Sequence, residues 1–254
     1  MIDLHCHLLP TVDDGSRSVE QSVAVLREMD RHGISAVALT PHRPASRLNR
    51  GLSARHDRAF QQLMAEAPPT PSLYRGLEVM LDEPLNRSVG STRLGTLGGS
   101  RYILVEFPRL VSRAAALKAL NDVIAVELVP VLAHPERYAC CTPETVRAWR
   151  DLGAKMQVDA TTLISSRRRG VRARELLTHG LGDIIAADNH GDGRLLSTGF
   201  NLLNERGGNM QADLLVTENP RRILEDGELL PVPPLDLHES WWRRIRSVFD
   251  QQGG

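Results

Sequence analysis

The sequence predicts a parallel α/β barrel. Short apolar runs, some of them alternating with polar residues, are separated by stretches in which apolar residues recur every three to four positions. Alternating strands and helices of this kind are typical of a parallel sheet with helices outside it. Histidines and acidic residues also follow the predicted strands repeatedly. In a parallel barrel these positions lie at one mouth, where active sites are found.

The composition is that of one ordinary globular domain. The chain has 254 residues, of which 41% are hydrophobic and 24% are charged. The formal net charge is zero, so no overall basic surface indicates binding to nucleic acid or to an anionic membrane. No apolar run approaches the roughly 20 residues of a membrane-spanning helix, and no signal peptide is visible. The three cysteines cannot all pair, which favours a reducing, cytoplasmic setting.

The first strand is predicted at the N-terminus, where apolar and polar residues alternate over Met1 to His7. On a strand, His5 and His7 point to one face and Cys6 points to the other. Two neighbouring imidazoles on one rigid strand can bind one divalent metal ion. Two unremarkable histidines would give the same short pattern, so this interpretation depends on the ligand-type residues that follow.

The other elements follow from the same two periodicities. Ser18 is the predicted N-cap of the first helix, and Gly33 is its predicted stop. Helices are predicted over residues 18–32, 53–67, 112–128, 142–152 and 170–179. The strands after the first are predicted over residues 34–40, 72–81, 101–107, 129–134, 155–160 and 183–188. The glycine-rich residues 82–99 are predicted to form a loop with short pieces of structure.

The C-terminal segment is predicted to be an addition to the barrel. We expect the barrel over residues 1–230, and a proline-rich joint followed by an amphipathic helix over residues 231–254. The helix carries an apolar stripe at helical spacing, made of Trp241, Ile245, Val248 and Phe249. We expect the stripe to pack on the barrel, although a surface for a partner or a homo-oligomer gives the same pattern.

Nine candidate metal ligands collect at the predicted mouth. Each is a histidine, aspartate or glutamate in a loop or at a strand end: His5, His7, Asp14, His42, Glu78, Glu106, His134, Asp188 and His190. Any one alone is better explained as a structural residue, but five of the nine histidines of the chain belong to this set. Imidazole and carboxylate ligands without cysteine favour manganese, iron or zinc in a catalytic site. Nine ligands exceed the need of one or two ions and predict a cluster of up to three.

The motifs around these residues resemble the PHP (polymerase and histidinol phosphatase) superfamily. More closely, they resemble the bacterial manganese-dependent protein-tyrosine phosphatases of capsule and exopolysaccharide synthesis. The matching stretches are MIDLHCHLLPTVDDGS at 1–16, ALTPH at 38–42, GLEVML at 76–81, ILVEFP at 103–108, LAHPERY at 132–138, AADNH at 186–190 and TENPRRIL at 217–224. The resemblance implies a distorted (β/α)7 barrel with three metal ions at its mouth, either Mn2+ or, as alternatives, iron or zinc. Asn189 is a departure, since many relatives carry SDAH around this aspartate.

The resemblance also implies how the ligands are shared among three ions. The first ion would be held by His5, His7, Glu78 and Asp188. The second would share Glu78 and would be held with Glu106 and His134. The third would be held by Asp14, His42 and His190.

The implied reaction is hydrolysis of phosphotyrosine through a metal-bound hydroxide, since bound cations lower the pKa of water. Arg137 and Arg194 match positions of the family that grip the phosphate and would stabilise charge on its oxygens. A tyrosine leaving group has a pKa of about 10 and needs little protonation, although His42 or His190 would be placed to assist. The implied substrate is a tyrosine-phosphorylated protein segment, such as the tail of a tyrosine autokinase that controls polysaccharide export.

Two other functions remain open from the sequence. A phosphoesterase acting on a small metabolite such as histidinol phosphate would use the same metals, because the superfamily hosts both activities and a fold does not settle a substrate. A regulatory domain that has lost its metals belongs to a different class, and the full ligand set argues against it.

Two further patterns have competing interpretations. Cys141 and Arg147 have the spacing of a cysteine-dependent tyrosine phosphatase, but Pro143 lacks an N–H group and Glu144 would repel phosphate, so the segment is better explained as a helix start. The arginines of residues 167–174 are better explained as a solvated face than as a surface that attracts acidic or phosphorylated substrate segments.

Overall fold

The computed structural model describes residues 1–237 and shows strands and helices alternating around a distorted parallel barrel. The predicted amphipathic helix with Trp241 and Phe249 lies outside the described residues. The strands are β1 (Ile2–Cys6), β2 (Ala36–Leu39), β3 (His42–Pro44), β4 (Ser72–Arg75), β5 (Glu78–Met80), β6 (Tyr102–Glu106), β7 (Val129–Ala133), β8 (Lys155–Asp159) and β9 (Ile184–Ala186).

Helices cover the outside of this barrel. They are α1 (Val19–Arg31), α2 (Ala45–Leu48), α3 (Ala54–Glu66), α4 (Arg87–Thr92), α5 (Arg113–Ile124), α6 (Pro143–Asp151), α7 (Arg168–Thr178), α8 (Leu196–Glu205), α9 (Asn209–Asp213) and α10 (Asn219–Leu224). Short helical turns occur at Leu97–Gly99, Pro135–Arg137, Thr162–Ile164 and Leu214–Glu218. No helix of residues 1–237 is long and apolar enough to cross a membrane.

Two hydrogen-bonded sheets make up the barrel wall. The first has the order β1-β2-β4, the second has the order β3-β5-β6-β7-β8-β9, and the paired strands are parallel. Since β2 leads into β3 and β4 leads into β5, the described strands occupy seven positions around the barrel. A bridge between Cys6 and Asn189 joins the two ends of the wall. This architecture confirms the predicted distorted (β/α)7 barrel.

The strand predicted over residues 72–81 is interrupted, so the prediction of one continuous strand was wrong. Gly76 and Leu77 separate β4 from β5, and Thr40 and Pro41 separate β2 from β3. The pairing of Leu39 with Arg75 and of His42 with Glu78 shows that the two interruptions lie side by side. Pro41 has no N–H group to donate to a neighbouring strand, which is one reason why the ladder breaks here. The break brings His42 and Glu78 into register at the mouth.

Cap hydrogen bonds confirm two of the predicted helix starts. The Ser18 side chain accepts a hydrogen bond from the N–H of Gln21 at the start of α1. The Thr142 side chain accepts one from the N–H of Thr145, and Pro143 is the first residue of α6. Gly33 adopts a φ of 77° after α1, as a helix-stopping glycine does.

No helices were predicted over residues 191–230, where the structure has α8, α9 and α10. The buried face of α8 includes Ser197 and Gly199, so its apolar spacing is interrupted. A Cβ atom on Gly199 would lie 3.1 Å from Ala160, which shows that the helix approaches the end of β8 closely. The helices α9 and α10 have five and six residues, too few for a periodic pattern.

The joint at residues 231–237 packs on the barrel helices. Val232 and Leu237 are buried, and the N–H of Leu235 donates to the carbonyl of Leu177 at the end of α7, at 3.2 Å. The division of the chain at residue 230 remains a prediction, because the segment beyond residue 237 is not described.

Candidate metal centre

The nine predicted ligands lie together at the carboxyl ends of the barrel strands. His5 and His7 come from the end of β1, His42 and Glu78 begin β3 and β5, and Glu106 ends β6. His134 follows β7, Asp188 and His190 follow β9, and Asp14 lies in the turn formed by Asp13, Asp14 and Gly15. Three overlapping groups each have their donor atoms within 4.8 Å of one another: His5, His7, Glu78 and Asp188; His7, Asp14, His42 and His190; and His42, Glu78 and Glu106.

Glu78 lies at the middle of the centre. Its Oε2 atom is 3.2 Å from His5 Nε2, 3.3 Å from His7 Nε2 and 3.0 Å from His42 Nδ1. Asp188 Oδ1 lies 3.2 Å and 3.3 Å from the same His5 and His7 nitrogens. Burial alone would raise the pKa of Glu78, but the imidazoles of His5, His134 and His42 hold it well below its usual range. Two carboxylates and two imidazoles therefore face one point in the protein interior.

The residues of the centre fit a divalent metal ion. Glu78 Oε2 is fully buried, yet it has no hydrogen-bond partner among the described residues despite the three imidazole nitrogens around it. Buried carboxylate oxygens in native proteins rarely lack a partner. An ion shared by Glu78, Asp188, His5 and His7 would satisfy this oxygen, and nitrogen and carboxylate donors are the ligands of manganese, iron and zinc.

The other two groups are more open to solvent. Glu106 Oε1 lies 3.0 Å from His42 Nδ1, and Asp14 Oδ1 lies 3.4 Å from His42 Nε2 and 3.6 Å from His190 Nε2. The Asp14 side chain is 71% exposed. Burial lowers the pKa of His42, but the neighbouring carboxylates of Glu106 and Glu78 raise it to about 10. Since a ligand imidazole must be neutral, protons and metal ions compete for this residue.

One compact group of donor atoms has a different member from the group that the resemblance implies. His42 completes the group with Glu78 and Glu106, where the resemblance puts His134. His134 still contacts the centre, because its Nε2 lies 2.9 Å from Glu78 Oε1. His42 Nδ1 lies near Glu78 and Glu106, and His42 Nε2 lies near Asp14, so the imidazole of His42 belongs to both of these groups.

Two side chains that were not predicted as site residues orient His5 and His7. His5 Nδ1 donates to Gln157 Oε1 at 2.9 Å, and His7 Nδ1 donates to Asp13 Oδ2 at 2.8 Å. Both contacts leave the Nε2 atoms facing Glu78 and Asp188. Such outer partners fix the tautomer and the ring orientation of ligand histidines. The signals in the sequence were a polar residue, Gln157, inside the buried strand β8 and the first aspartate of the Asp13-Asp14-Gly15 turn.

Left-handed backbone turns carry two of the candidate ligands. His134 has a φ of 35° and directly follows β7, and Asp188 has a φ of 50° and lies two residues after the end of β9. Residues with a Cβ atom rarely adopt these angles because of steric cost. The turns direct both side chains into the centre, where His134 meets Glu78 and Asp188 meets His5.

The two predicted phosphate-binding arginines both lie beside Asp188. Arg137 Nη2 donates to Asp188 Oδ2 and, at 2.7 Å, to Asp159 Oδ2. Arg194 Nη1 lies 3.5 Å from the same oxygen of Asp188, and its Nε donates to Asp192 Oδ2 at 2.9 Å. Asp159, which was not predicted as a site residue, holds Arg137 through this hydrogen bond.

Asn189, the departure from the family motif, organises the loop that carries Arg194. It is fully buried, and its side-chain amide donates to the carbonyls of Asp192 and Arg194, while its Oδ1 accepts from the N–H of Gly191 at 2.8 Å. Its carbonyl accepts from the N–H of His7 at 2.7 Å. Asn189 therefore stabilises the loop and leaves the neighbouring ligand side chains in the centre.

The segment from Cys141 to Arg147 does not form a phosphate-binding loop. Cys141 is only 4% exposed, and burial raises the pKa of its thiol to about 12. The residues after it form the first turns of α6, where the N–H of Val146 bonds to the carbonyl of Thr142 at 3.0 Å. The backbone donors that would surround a phosphate are thus used within the helix.

Sequence comparisons find a matching family model and characterised relatives. The family model for capsular polysaccharide synthesis proteins, CpsB/CapC, matches residues 1–225. The tyrosine-protein phosphatase CpsB of Streptococcus pneumoniae is 27% identical over 240 residues, which cover 89% of this chain and 99% of that protein. The tyrosine-protein phosphatase YwqE of Bacillus subtilis is 27% identical over 246 residues, which cover 92% of this chain and 95% of that protein.

Solved structures share the barrel. A crystal structure from work on YwqE of Bacillus subtilis and CpsB of Streptococcus pneumoniae, two metal-dependent tyrosine phosphatases, matches with a TM-score of 0.78. The match has 24% sequence identity and covers 94% of this chain and 100% of that chain. At this identity the match shows a common fold, the distorted parallel barrel with helices outside it.

Proposed function

Because the chain belongs to the capsular polysaccharide synthesis family CpsB/CapC, we propose that it is a metal-dependent protein-tyrosine phosphatase. The observation that carries the proposal is the buried Glu78, surrounded by imidazoles at 3.0 to 3.3 Å and lacking a hydrogen-bond partner on Oε2 among residues 1–237. A further support is the pair of arginines that meets Asp188 beside this centre.

The metal ligands that we propose are the nine residues predicted from the sequence, and the metal that we propose is manganese, with up to three ions. His5, His7, Glu78 and Asp188 would hold the innermost ion. The outer ions would use the remaining ligands, with His42 and Glu78 shared between groups. Manganese accepts mixed imidazole and carboxylate ligation, and Glu78, Glu106, Asp14 and Asp188 make the centre rich in carboxylates.

The chain's own residues would bind and orient the phosphate. When bound, divalent cations supply an activated water and neutralise charge on the phosphoryl group. Arg137 and Arg194 both have N–H donors at the edge of the centre. Their side chains are 24% and 30% exposed, so they can contact phosphoryl oxygens. Asp159 keeps the Arg137 guanidinium in place, and the Asn189 loop does so for Arg194.

A tyrosine ester suits this site because its leaving group is weakly basic. A phenolate has a pKa of about 10 and departs with little help from an acid, whereas the alkoxides of serine and threonine are far more basic. His42 and His190 are the histidines nearest to solvent at the mouth, but as proposed ligands they make poor free acids. We therefore expect a strong preference for phosphotyrosine.

The substrate that we propose is a tyrosine-phosphorylated protein segment, such as the tail of a bacterial tyrosine kinase that regulates capsule synthesis. The open mouth, with the exposed Asp14 on one side, admits a flexible segment more easily than a folded phosphoprotein. The free cysteines Cys6, Cys140 and Cys141 agree with a cytoplasmic location, where such a tail would be found.

The proposal is tested by comparing kcat/KM on a phosphotyrosine peptide, a phosphoserine peptide and histidinol phosphate, with manganese present and after chelation. We expect the phosphotyrosine peptide to be hydrolysed best and the chelator to abolish the activity. Glu78→Gln should lose metal and activity, while the matched control Glu144→Gln, on the exposed surface of α6, should keep both. A preference for histidinol phosphate would assign the protein to the small-molecule phosphoesterases of the same superfamily.

A further inference from the structure

A group of arginines without carboxylate partners lies beside the candidate metal centre. It consists of Arg109, in the loop after β6, and Arg168 and Arg169, at the start of α7. We call these three residues the basic rim. All three are exposed, and none forms an ion pair with another residue of the described part of the chain. Their charges are therefore available to a molecule outside the protein.

Hydrogen bonds place the basic rim next to Arg137. The N–H of Ala139 donates to the carbonyl of Arg109 at 2.9 Å, so the loop after β6 lies against the turn that carries Arg137. On the other side, Arg172 Nη1 donates to the carbonyl of Tyr138 at 2.9 Å, which joins α7 to the same turn. Because α7 follows the carboxyl end of β8, its first residues lie at the mouth of the barrel.

The positive charges of this region affect one another. Burial lowers the pKa of Arg169, and the nearby charges of Arg109 and Arg137 lower it further. By contrast, Arg137 bonds to Asp159 and Arg194 bonds to Asp192, so these two arginines have carboxylate partners. The basic rim thus carries positive charge without ion-pair partners among residues 1–237, near the Arg137 that would hold the phosphate.

Exposed apolar side chains border the basic rim. Leu110, next to Arg109, is 84% exposed, and Ile164, in the turn that precedes α7, is 61% exposed. Positive and apolar groups side by side suit an extended peptide segment better than a small metabolite, because the metabolite has no further groups to contact them. The guanidinium group binds carboxylates and phosphates through paired hydrogen bonds.

We propose that the basic rim binds a second anionic group of the substrate, a few residues away from the phosphotyrosine that is hydrolysed. The group is either a carboxylate or another phosphotyrosine of the same peptide, since both offer the oxygens that arginine recognises. This inference rests on the proposed phosphatase function. The basic rim then selects tyrosine-phosphorylated segments with acidic or multiply phosphorylated surroundings and steers them to the mouth.

The test measures kcat and KM on four substrates: an aryl phosphate, a phosphotyrosine peptide with neutral flanks, the same peptide with acidic flanks, and the same peptide with a second phosphotyrosine. The variants are Arg109→Gln, Arg169→Gln and the double variant. The control is Arg27→Gln on the exposed face of α1. Arg27 forms no ion pair with residues 1–237, so this control removes one positive charge, as each single variant does. Metal content and thermal unfolding are measured for each protein.

We expect the double variant to lose about threefold to tenfold in kcat/KM on the two anionic peptides, through KM, since exposed charge pairs contribute little each. The aryl phosphate and the neutral peptide should change by less than about twofold, and high salt should reduce the advantage of the anionic peptides. A loss on only one anionic peptide identifies which group the rim binds.

An equal loss on all four substrates, or no loss on either anionic peptide, overturns the inference while the phosphatase activity stands. If the parent protein hydrolyses neither the peptides nor the aryl phosphate, the proposed function itself fails, and the inference fails with it. The single variants provide the same comparison if the double variant does not fold.

Discussion

Replacing Cys141 with serine should leave the hydrolysis of an aryl phosphate within about threefold of the parent rate, although Cys141 and Arg147 have the spacing of a cysteine-dependent phosphatase. Burial raises the pKa of the Cys141 thiol to about 12. At pH 7 a pKa of about 12 leaves roughly one thiol in 100,000 ionised, against a few per cent for an ordinary cysteine. The nucleophilic form is therefore depleted by about three orders of magnitude.

The assay compares the parent protein, Cys141→Ser and Glu78→Gln on an aryl phosphate with manganese present. A serine hydroxyl in this buried place should cost about 1 to 2 kcal/mol of unfolding free energy, so thermal unfolding must show that the variant is folded at the assay temperature. Iodoacetamide treatment of the parent protein at pH 7 should likewise leave the activity intact, because alkylation requires the thiolate.

The opposite pattern would refute the reasoning. If folded Cys141→Ser is inactive while chelation of metal has no effect, then the reaction uses the thiol, and the assignment of the metal centre as the catalytic site is wrong. An intermediate result, such as loss of activity together with loss of metal, is separated by measuring the metal content of the same preparation.

Three more outcomes follow from the described contacts. Asp13→Asn should weaken manganese binding by about tenfold to a hundredfold in a metal titration, because Asp13 orients His7, and an unchanged affinity would remove it from this role. Gly15→Ala should lose metal binding, because the added Cβ atom would lie 2.0 Å from the carbonyl oxygen of His7. The control Gly193→Ala should keep metal binding, because nothing lies near the added Cβ atom. Equal metal binding by the two variants would contradict this account. Trp149→Ala should lower the unfolding free energy by about 3 to 5 kcal/mol in urea denaturation, because Trp149 is fully buried. A loss below about 1 kcal/mol would show that the neighbouring side chains around α6 repack to fill the cavity.

The fold and the positions of the candidate ligands were largely predictable from the sequence. In a parallel barrel, every strand end leads to the same mouth, so residues such as Glu106 and His134 can be placed together without knowledge of the turns between them. The alternation in β1 predicted that His5 and His7 share a face. These predictions depend only on periodicity and on the direction of the strands.

The remaining features depend on contacts between distant parts of the chain. No local pattern shows that Gln157 would meet His5, 152 residues away, because a polar residue in a strand has many potential partners. The sharing of His42 between two groups depends on how far apart two interrupted strands lie at the mouth. Asn189 was recognised only as a departure, since its role requires the three-dimensional course of the following loop.

The division of the barrel wall into two sheets affects how the barrel unfolds locally. His5 belongs to the first sheet, whereas Glu78 belongs to the second, so the candidate metal centre lies across the seam between them. An ion held there would tie two hydrogen-bonded units together. Amide hydrogen exchange in β1 and β5 should then become slow together when metal is added, as in one cooperative unit. The supply of metal would set how long the folded chain survives proteolysis.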